Sequence, residues 1–132
     1  MIVLANAIFD SLKTHSAVPP FLWQADTLLL PPPHHHPSAA WTSPLKLGKY
    51  LASGTSVVAT DIPALRAWVT DKEVEFVLAD NGNALAEGIR HVLSDKTRNK
   101  QLQRAGIRKA KELSYERRAQ AILDRCGLVA CG

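Results

Sequence analysis

Short apolar runs alternate along this chain with segments whose apolar residues recur at helical spacing. Four runs are apolar without strict alternation, which is typical of strands buried on both faces of a parallel sheet: residues 2–5, 27–30, 56–60 and 75–79. Pro31 ends the second run, because proline cannot donate to a sheet ladder. Strands that alternate with helices predict an α/β fold, with a parallel sheet of about four strands flanked by helices.

Capping residues mark the predicted helix starts in the first half of the chain. Ser43 can cap free backbone N–H groups and Pro44 fits the first helical position, while Gly54 suits the end of the same helix. Two shorter helices are expected at residues 21–25, after a loop at residues 10–20, and from Asp61 and Pro63 through residue 68. Residues 34–42 are predicted to form a loop.

The C-terminal third is predicted to be helical throughout. Asn83, Asp95 and Ser114 can each cap a helix. The first two of these helices present an apolar face to the core: Leu85, Ile89, Val92, Leu93, Leu102, Ala105 and Leu113. The third carries an apolar stripe: Tyr115, Ala119, Ile122 and Cys126.

The length and composition of the chain indicate one globular domain with a basic net charge. The chain has 132 residues and a net charge of +4, and its composition is that of one globular domain over residues 1–132. Many cations fall in one C-terminal stretch: Lys96, Arg98, Lys100, Arg104, Arg108, Lys109, Lys111, Arg117 and Arg118. Nucleotide phosphate, acidic lipid or nucleic acid could use them, although a solvated helix face is the commoner outcome. Without interleaved aromatic residues or a known binding motif, nucleic acid is the least favoured partner.

Cysteine usage favours a cytoplasmic protein. Cys126 and Cys131 could form a small disulfide, but two cysteines do not make a secreted framework, and free thiols are expected. No apolar run is long enough to span a membrane, and the apolar residues 1–9 lack the basic leader of a signal peptide.

Residues 43–61, SPLKLGKYLASGTSVVATD, resemble the donor-site helix and following strand of retaining glycosyltransferases of the two-Rossmann-domain (GT-B) type. Members of this glycosyl transferases group 1 family often show Ser-Pro-Leu-Lys-Leu, an aromatic-Glu-Tyr, Met-Ala-Ser-Gly and an apolar strand ending near Asp. The resemblance extends over about residues 18–125. It implies a Rossmann-like partial GT-B C-terminal domain with a helical C-terminus. It also implies sugar transfer from a UDP-, GDP- or ADP-sugar to an acceptor hydroxyl, without a metal or other cofactor.

The resemblance also implies a donor site at the helix that follows Ser43. Family members place the donor diphosphate against this helix start, where N–H groups and the helix dipole favour an anion. Ser43 and Pro44 would form the start, and the N–H groups of Leu45 and Lys46 would be the donors. The loop with His34, His35 and Trp41 would border the donor sugar. Taken without the resemblance, Ser43 and Pro44 are simply a good helix start.

Lys49 stands where relatives usually have the glutamate that binds the nucleotide ribose. A carboxylate accepts hydrogen bonds from two hydroxyls and an ammonium accepts none, so Lys49 would attract phosphate and lose the ribose contact. The second family glutamate, which faces the donor sugar, falls at or near Trp41. Ala67 and Glu75 replace a frequent Glu and Gly.

The resemblance further implies that the acceptor-binding domain and the first strands of the donor domain would precede Met1. No catalytic residue is identified, and we expect no sugar transfer by this chain alone. The expected partners are a nucleotide sugar and a complementary N-terminal domain or chain. Uncovered apolar edges predict self-association, and peripheral membrane contact stays open. The alternative is a non-catalytic binding or partner-docking module derived from the family.

Three adjacent histidines, His34 to His36, suggest metal binding at first sight. Adjacent side chains point in different directions, and no Cys, Asp or Glu lies near them in sequence to complete a ligand set. The sequence therefore predicts no metal site, and favours a polar loop at the carboxyl end of a strand.

Overall fold

The structure is a computed structural model that describes residues 15–35 and 45–127. A short 3₁₀ turn at His15–Ala17 precedes the regular elements. In chain order these are α1 (Val18–Gln24), β1 (Leu28–Leu30), α2 (Leu45–Ser53), β2 (Val57–Thr60), α3 (Pro63–Arg66), β3 (Glu75–Val77), α4 (Gly82–Ser94), α5 (Lys96–Glu112) and α6 (Tyr115–Arg125).

The three described strands form one parallel sheet in the order β1-β2-β3. Leu28 pairs with Val57, and Val58 pairs with Glu75. Every residue of β2 is buried, as expected for a central strand with helices on both faces. The predicted Rossmann-like α/β fold is therefore confirmed. The expected strand at residues 2–5 lies outside the described residues.

Alternate residues of β2 face two different layers of the core. Val57 and Ala59 pack in a cluster with Leu47 and Leu51 of α2, whereas Val58 packs in a second cluster with Ile89 of α4. Helix α5 contacts both α2 and α4. The sheet is thus covered by α2 on one face and α4 on the other, and α5 joins the two sides.

Two predicted helix starts are wrong in detail. Helix α1 begins at Val18 and not at residue 21, because prolines fit the first turn, where N–H groups have no helical partner anyway. Helix α4 is capped by Asn81 and not by Asn83: the Asn81 side chain accepts a hydrogen bond from the Ala84 N–H at 3.0 Å. Asn81 has the extended backbone that a cap requires, whereas Asn83 already lies within the first helical turn.

The caps of the last two helices are confirmed. Asp95 accepts hydrogen bonds from the N–H groups of Thr97 and Arg98, and Ser114 accepts one from the N–H of Arg117. Leu102 and Ala105 of α5 are buried, as predicted.

Helix α6 buries none of its residues. Tyr115 and Ile122, from the predicted apolar stripe, are 77% and 56% exposed. The stripe therefore lies on the surface of the described chain. Within the described residues, no helix combines the length and the apolar character needed to cross a bilayer.

Candidate functional site

The segments that follow the strands meet at the carboxyl edge of the sheet, because all three strands run in the same direction. The Thr60 hydroxyl donates to the Pro32 carbonyl at 2.8 Å, which joins the ends of β2 and β1. The Asp61 N–H donates to the Val77 carbonyl at 2.8 Å, which joins the ends of β2 and β3. Ligands of open α/β sheets bind beyond this edge, so it is the first place to look for a site.

Two of the predicted loop residues meet a carboxylate at this edge. The backbone N–H of His34 donates to Asp80 Oδ2 at 3.1 Å, and His35 Nε2 lies 3.6 Å from the same oxygen. The imidazole rings of His34 and His35 lie edge to face, with centroids 5.5 Å apart. The third predicted loop residue, Trp41, lies outside the described residues.

Asp80 is a site residue that the sequence reasoning missed. It stands 46 positions from His34, and only the parallel arrangement of β1 and β3 brings the two together. A signal was present, because Asp80 comes directly after a predicted strand and the ends of parallel strands share an edge. Its φ of +56° is unusual for a residue other than glycine, although Asp is among the side chains that tolerate it.

The helix predicted to follow Ser43 is present as α2, and its candidate residues are exposed. Leu45, Lys46 and Lys49 of α2 are all exposed, whereas Leu47 and Leu51 are buried against the sheet. Ser43 and Pro44, the predicted cap and first helical residue, lie outside the described residues.

The end of α2 is as predicted. Gly54 terminates the helix with a φ of +78°, a conformation that favours glycine. Because α2 connects two parallel strands, it runs antiparallel to them, and its N-terminal end faces the carboxyl edge of the sheet.

Asp61 forms an ion pair with Arg66. Arg66 donates to both Asp61 carboxylate oxygens, at 2.8 and 2.7 Å, and to Asp71 Oδ2 at 2.6 Å, while its guanidinium lies 3.8 Å above the centre of the Phe76 ring. Hydrogen bonding to Arg66 lowers the pKa of Asp61 and of Asp71, and the two carboxylates raise the pKa of Arg66. We call these three residues the Arg66 cluster. Through Arg66 it links the segment before α3 to the segment after it, and both carboxylates are bound to the arginine.

Glu75 ties β3 to two helices. Its Oε2 accepts hydrogen bonds from Arg98 Nε at 3.0 Å and Nη2 at 2.9 Å, and its Oε1 lies 2.8 Å from His91 Nδ1. Arg98 also donates to the Asp71 carbonyl at 2.7 Å. The Glu75 side chain is only 16% exposed. Glu75 therefore joins β3 to α4 and α5 through its contacts with His91 and Arg98.

Some of the C-terminal cations form ion pairs in the described chain. Arg98 binds Glu75, and Lys109 binds Glu112 at 3.0 Å. Lys96, Lys100 and Arg104 follow one another at four-residue intervals on an exposed face of α5. That face gives the described chain a positively charged surface away from α2.

Comparison with known proteins identifies the family. The family model of glycosyl transferases group 1 matches residues 6–95, which is more than half of the chain. Among solved structures, sucrose-phosphate synthase from Thermosynechococcus elongatus is similar, with a TM-score of 0.60 and 21% sequence identity. The similarity covers 77% of this chain and 25% of that one, so this chain spans about a quarter of its structural relative. Among curated protein sequences there is no match.

Proposed function

Because this chain belongs to the glycosyl transferases group 1 family, we propose that it forms part of the donor-binding half of such an enzyme and binds the diphosphate of a UDP-, GDP- or ADP-sugar. The observation that carries the proposal is the orientation of α2. Its N-terminal end faces the carboxyl edge of a parallel sheet, and Leu45 and Lys46 are exposed there. Backbone N–H groups and the helix dipole at such an end favour an anion.

Lys46 and Lys49 would add positive charge beside the bound diphosphate. Both are exposed on α2, so both can approach a ligand without repacking of the core. An ammonium cannot accept a hydrogen bond from a ribose hydroxyl. The expected selectivity is therefore for phosphate, with weak discrimination between ribose and deoxyribose.

A change of Lys49→Glu tests this site. It restores the acceptor group that relatives usually carry, and a hydrogen bond between a carboxylate and a hydroxyl contributes about 1.5–3 kcal/mol. We expect isothermal titration calorimetry to show weak binding of nucleoside diphosphates to the original chain. The variant should bind ribonucleotides at least about tenfold more tightly than deoxyribonucleotides.

The matched control is Lys100→Glu, which makes the same charge change on an exposed position of α5. It should leave both affinities within about twofold of the original, because Lys100 takes no part in the proposed donor site on α2 and salt screens exposed charges. If Lys49→Glu gains no preference for ribose, or if Lys100→Glu gains the same preference, the donor site is not where we place it.

We propose that transfer to an acceptor hydroxyl requires a complementary acceptor-binding domain or chain. The exposed stripe with Tyr115 and Ile122 on α6 supports such a partner, since exposed apolar patches mark interaction surfaces. The purified chain should therefore not turn over labelled UDP-, GDP- or ADP-sugars. Measurable transfer by the chain alone would refute this part of the proposal.

The same exposed stripe favours a second candidate function, that of a non-catalytic partner-docking module. A docking module would recruit its partner without any dependence on nucleotide, whereas a donor-binding half would bind nucleoside diphosphate through α2. The calorimetry above separates the two functions. For its location we propose the cytoplasm, and the exposed cations Lys96, Lys100 and Arg104 support peripheral contact with an anionic membrane surface.

A further inference from the structure

Two imidazoles and one carboxylate converge at the carboxyl edge of the sheet. One ligand atom from each of His34, His35 and Asp80 lies within 4.8 Å of the other two. We propose that these three residues bind a divalent transition-metal ion of the zinc class. The proposal goes beyond donor binding and does not depend on it, because the donor-binding proposal rests on α2, whereas this one rests on the loop after β1 and on Asp80.

The chemistry of the three groups suits this class of ion. Zn²⁺ takes imidazole nitrogen and carboxylate oxygen at about 2.0–2.2 Å, and sites with three protein ligands keep a fourth position for water. Two ligands of a tetrahedral ion at those bond lengths are about 3.4 Å apart. His35 Nε2 and Asp80 Oδ2 already lie 3.6 Å apart. All three side chains are exposed, so small rotations can complete the geometry without disturbing the core.

The backbone around the cluster is held by the fold. The Thr60 hydroxyl fixes the Pro32 carbonyl just before the histidines, and Asp80 follows β3 by three residues. The N–H of His34 donates to Asp80 Oδ2, so the carboxylate is oriented toward the histidine loop before any ion arrives. Hydrogen bonds to ligating carboxylates are the usual support of metal sites. No carboxylate lies near the histidines in the sequence, and the fold brings Asp80 to them.

The left-handed backbone of Asp80 makes a clean test available. At a φ of +56°, glycine fits at least as well as aspartate, and asparagine tolerates the conformation. Asp80→Gly and Asp80→Asn therefore remove the carboxylate charge while remaining compatible with the backbone. Circular dichroism of both variants should match that of the original chain.

The experiment titrates the full chain with zinc chloride in a calorimeter, and with cobalt chloride while visible absorption is recorded. We expect one site per chain and cobalt bands typical of four- or five-coordinate geometry. Asp80→Gly, Asp80→Asn and His35→Ala should each weaken zinc binding at least about tenfold. The control His91→Ala removes an exposed histidine on α4 and should leave zinc affinity unchanged.

The competing explanation is a run of adjacent histidines that chelates metal without help from the fold. In that case Asp80→Gly and Asp80→Asn would both bind zinc as tightly as the original chain, and the chain unfolded in urea would bind equally well. Either result overturns the proposal. Loss of binding in urea, together with the loss in both Asp80 variants, supports a site built from two distant segments.

Discussion

Helix α4 lies close to the sheet at Gly88, and we predict that a single methyl group there destabilises the chain. A Cβ on Gly88 would overlap with Val77 Cγ1 of β3 and lie 3.3 Å from Val58 Cγ1 of β2. Both valines are buried, and Val58 is fully so. The added methyl can be accommodated only if Val77 changes its rotamer or α4 moves away from the sheet.

The size of the effect follows from two opposed terms. Overpacking a well-filled core costs about 1–3 kcal/mol, while alanine in place of glycine inside a helix gains up to about 1 kcal/mol. With a mid-range overpacking cost of about 2 kcal/mol and a helix gain of about 0.5–1 kcal/mol, we expect Gly88→Ala to lower the free energy of unfolding by about 1–1.5 kcal/mol. That loss corresponds to a fall of roughly 3–10 °C in melting temperature.

The matched control lies on the same helix. Gly82 is exposed at the start of α4, and a Cβ built there meets no atom within 4 Å. Gly82→Ala should be neutral or stabilising by up to about 0.5 kcal/mol, because it reduces the freedom of the unfolded chain. Both variants are measured by urea and thermal denaturation followed by circular dichroism. A Gly88→Ala variant as stable as Gly82→Ala would refute the close contact between α4 and the sheet.

Three further predictions concern charges and the exposed surface. Glu75→Gln removes the charge that Arg98 binds in a half-buried position, so urea denaturation should show a loss of about 1–3 kcal/mol; unchanged stability would contradict its role. Arg66→Gln should cost about 0.5–1 kcal/mol near pH 7, discounted because the cluster is exposed. Hydrogen bonding to Arg66 lowers the pKa of both aspartates, so their contribution is present above about pH 4 and should decrease as the pH falls through the lowered pKa values; a cost that stays the same from neutral to acidic pH would contradict the assignment. Ile122→Glu, on the exposed face of α6, should reduce self-association in light scattering, and a chain that is already monomeric at high concentration would count against that surface.

The described strands and the caps of the last two helices could be predicted because local physics decides them. Residues 56–60 are apolar and β-branched over a length that suits a buried strand, and the structure has Val57–Thr60 there. Asp95 and Ser114 each stand directly before a long periodic segment, where a capping side chain is expected. At α4 two asparagines two residues apart both qualify, and the sequence does not distinguish them. The structure selects Asn81, which has the extended backbone of a cap.

The cluster of His34, His35 and Asp80 could not be predicted from spacing along the chain. Its formation depends on the order of the strands, and β1 and β3 lie on opposite sides of β2, about 10 Å apart. The segments after them must therefore lean toward each other across the end of β2 to meet. The periodicity of helices and strands does not predict which loops come together. In the structure, the hydrogen bond from the His34 N–H to Asp80 shows that these two segments are in contact.

Glu75 and Lys49, two positions where the resemblance implied a different residue, have different surroundings in the fold. Glu75 is compensated inside the fold, because Arg98 and His91 bind its carboxylate and a glycine there would leave Arg98 half-buried without that partner. Glu75 therefore attaches β3 to α4 and α5, and this role does not depend on a ligand. Lys49 is exposed on α2, the helix on which the donor-binding proposal rests, so under that proposal its charge would act on the ligand. Under the donor-binding proposal, a search for altered donor selectivity should begin at Lys49. A change of Glu75 to glycine should be combined with a change of Arg98, because it would otherwise leave Arg98 without its partner.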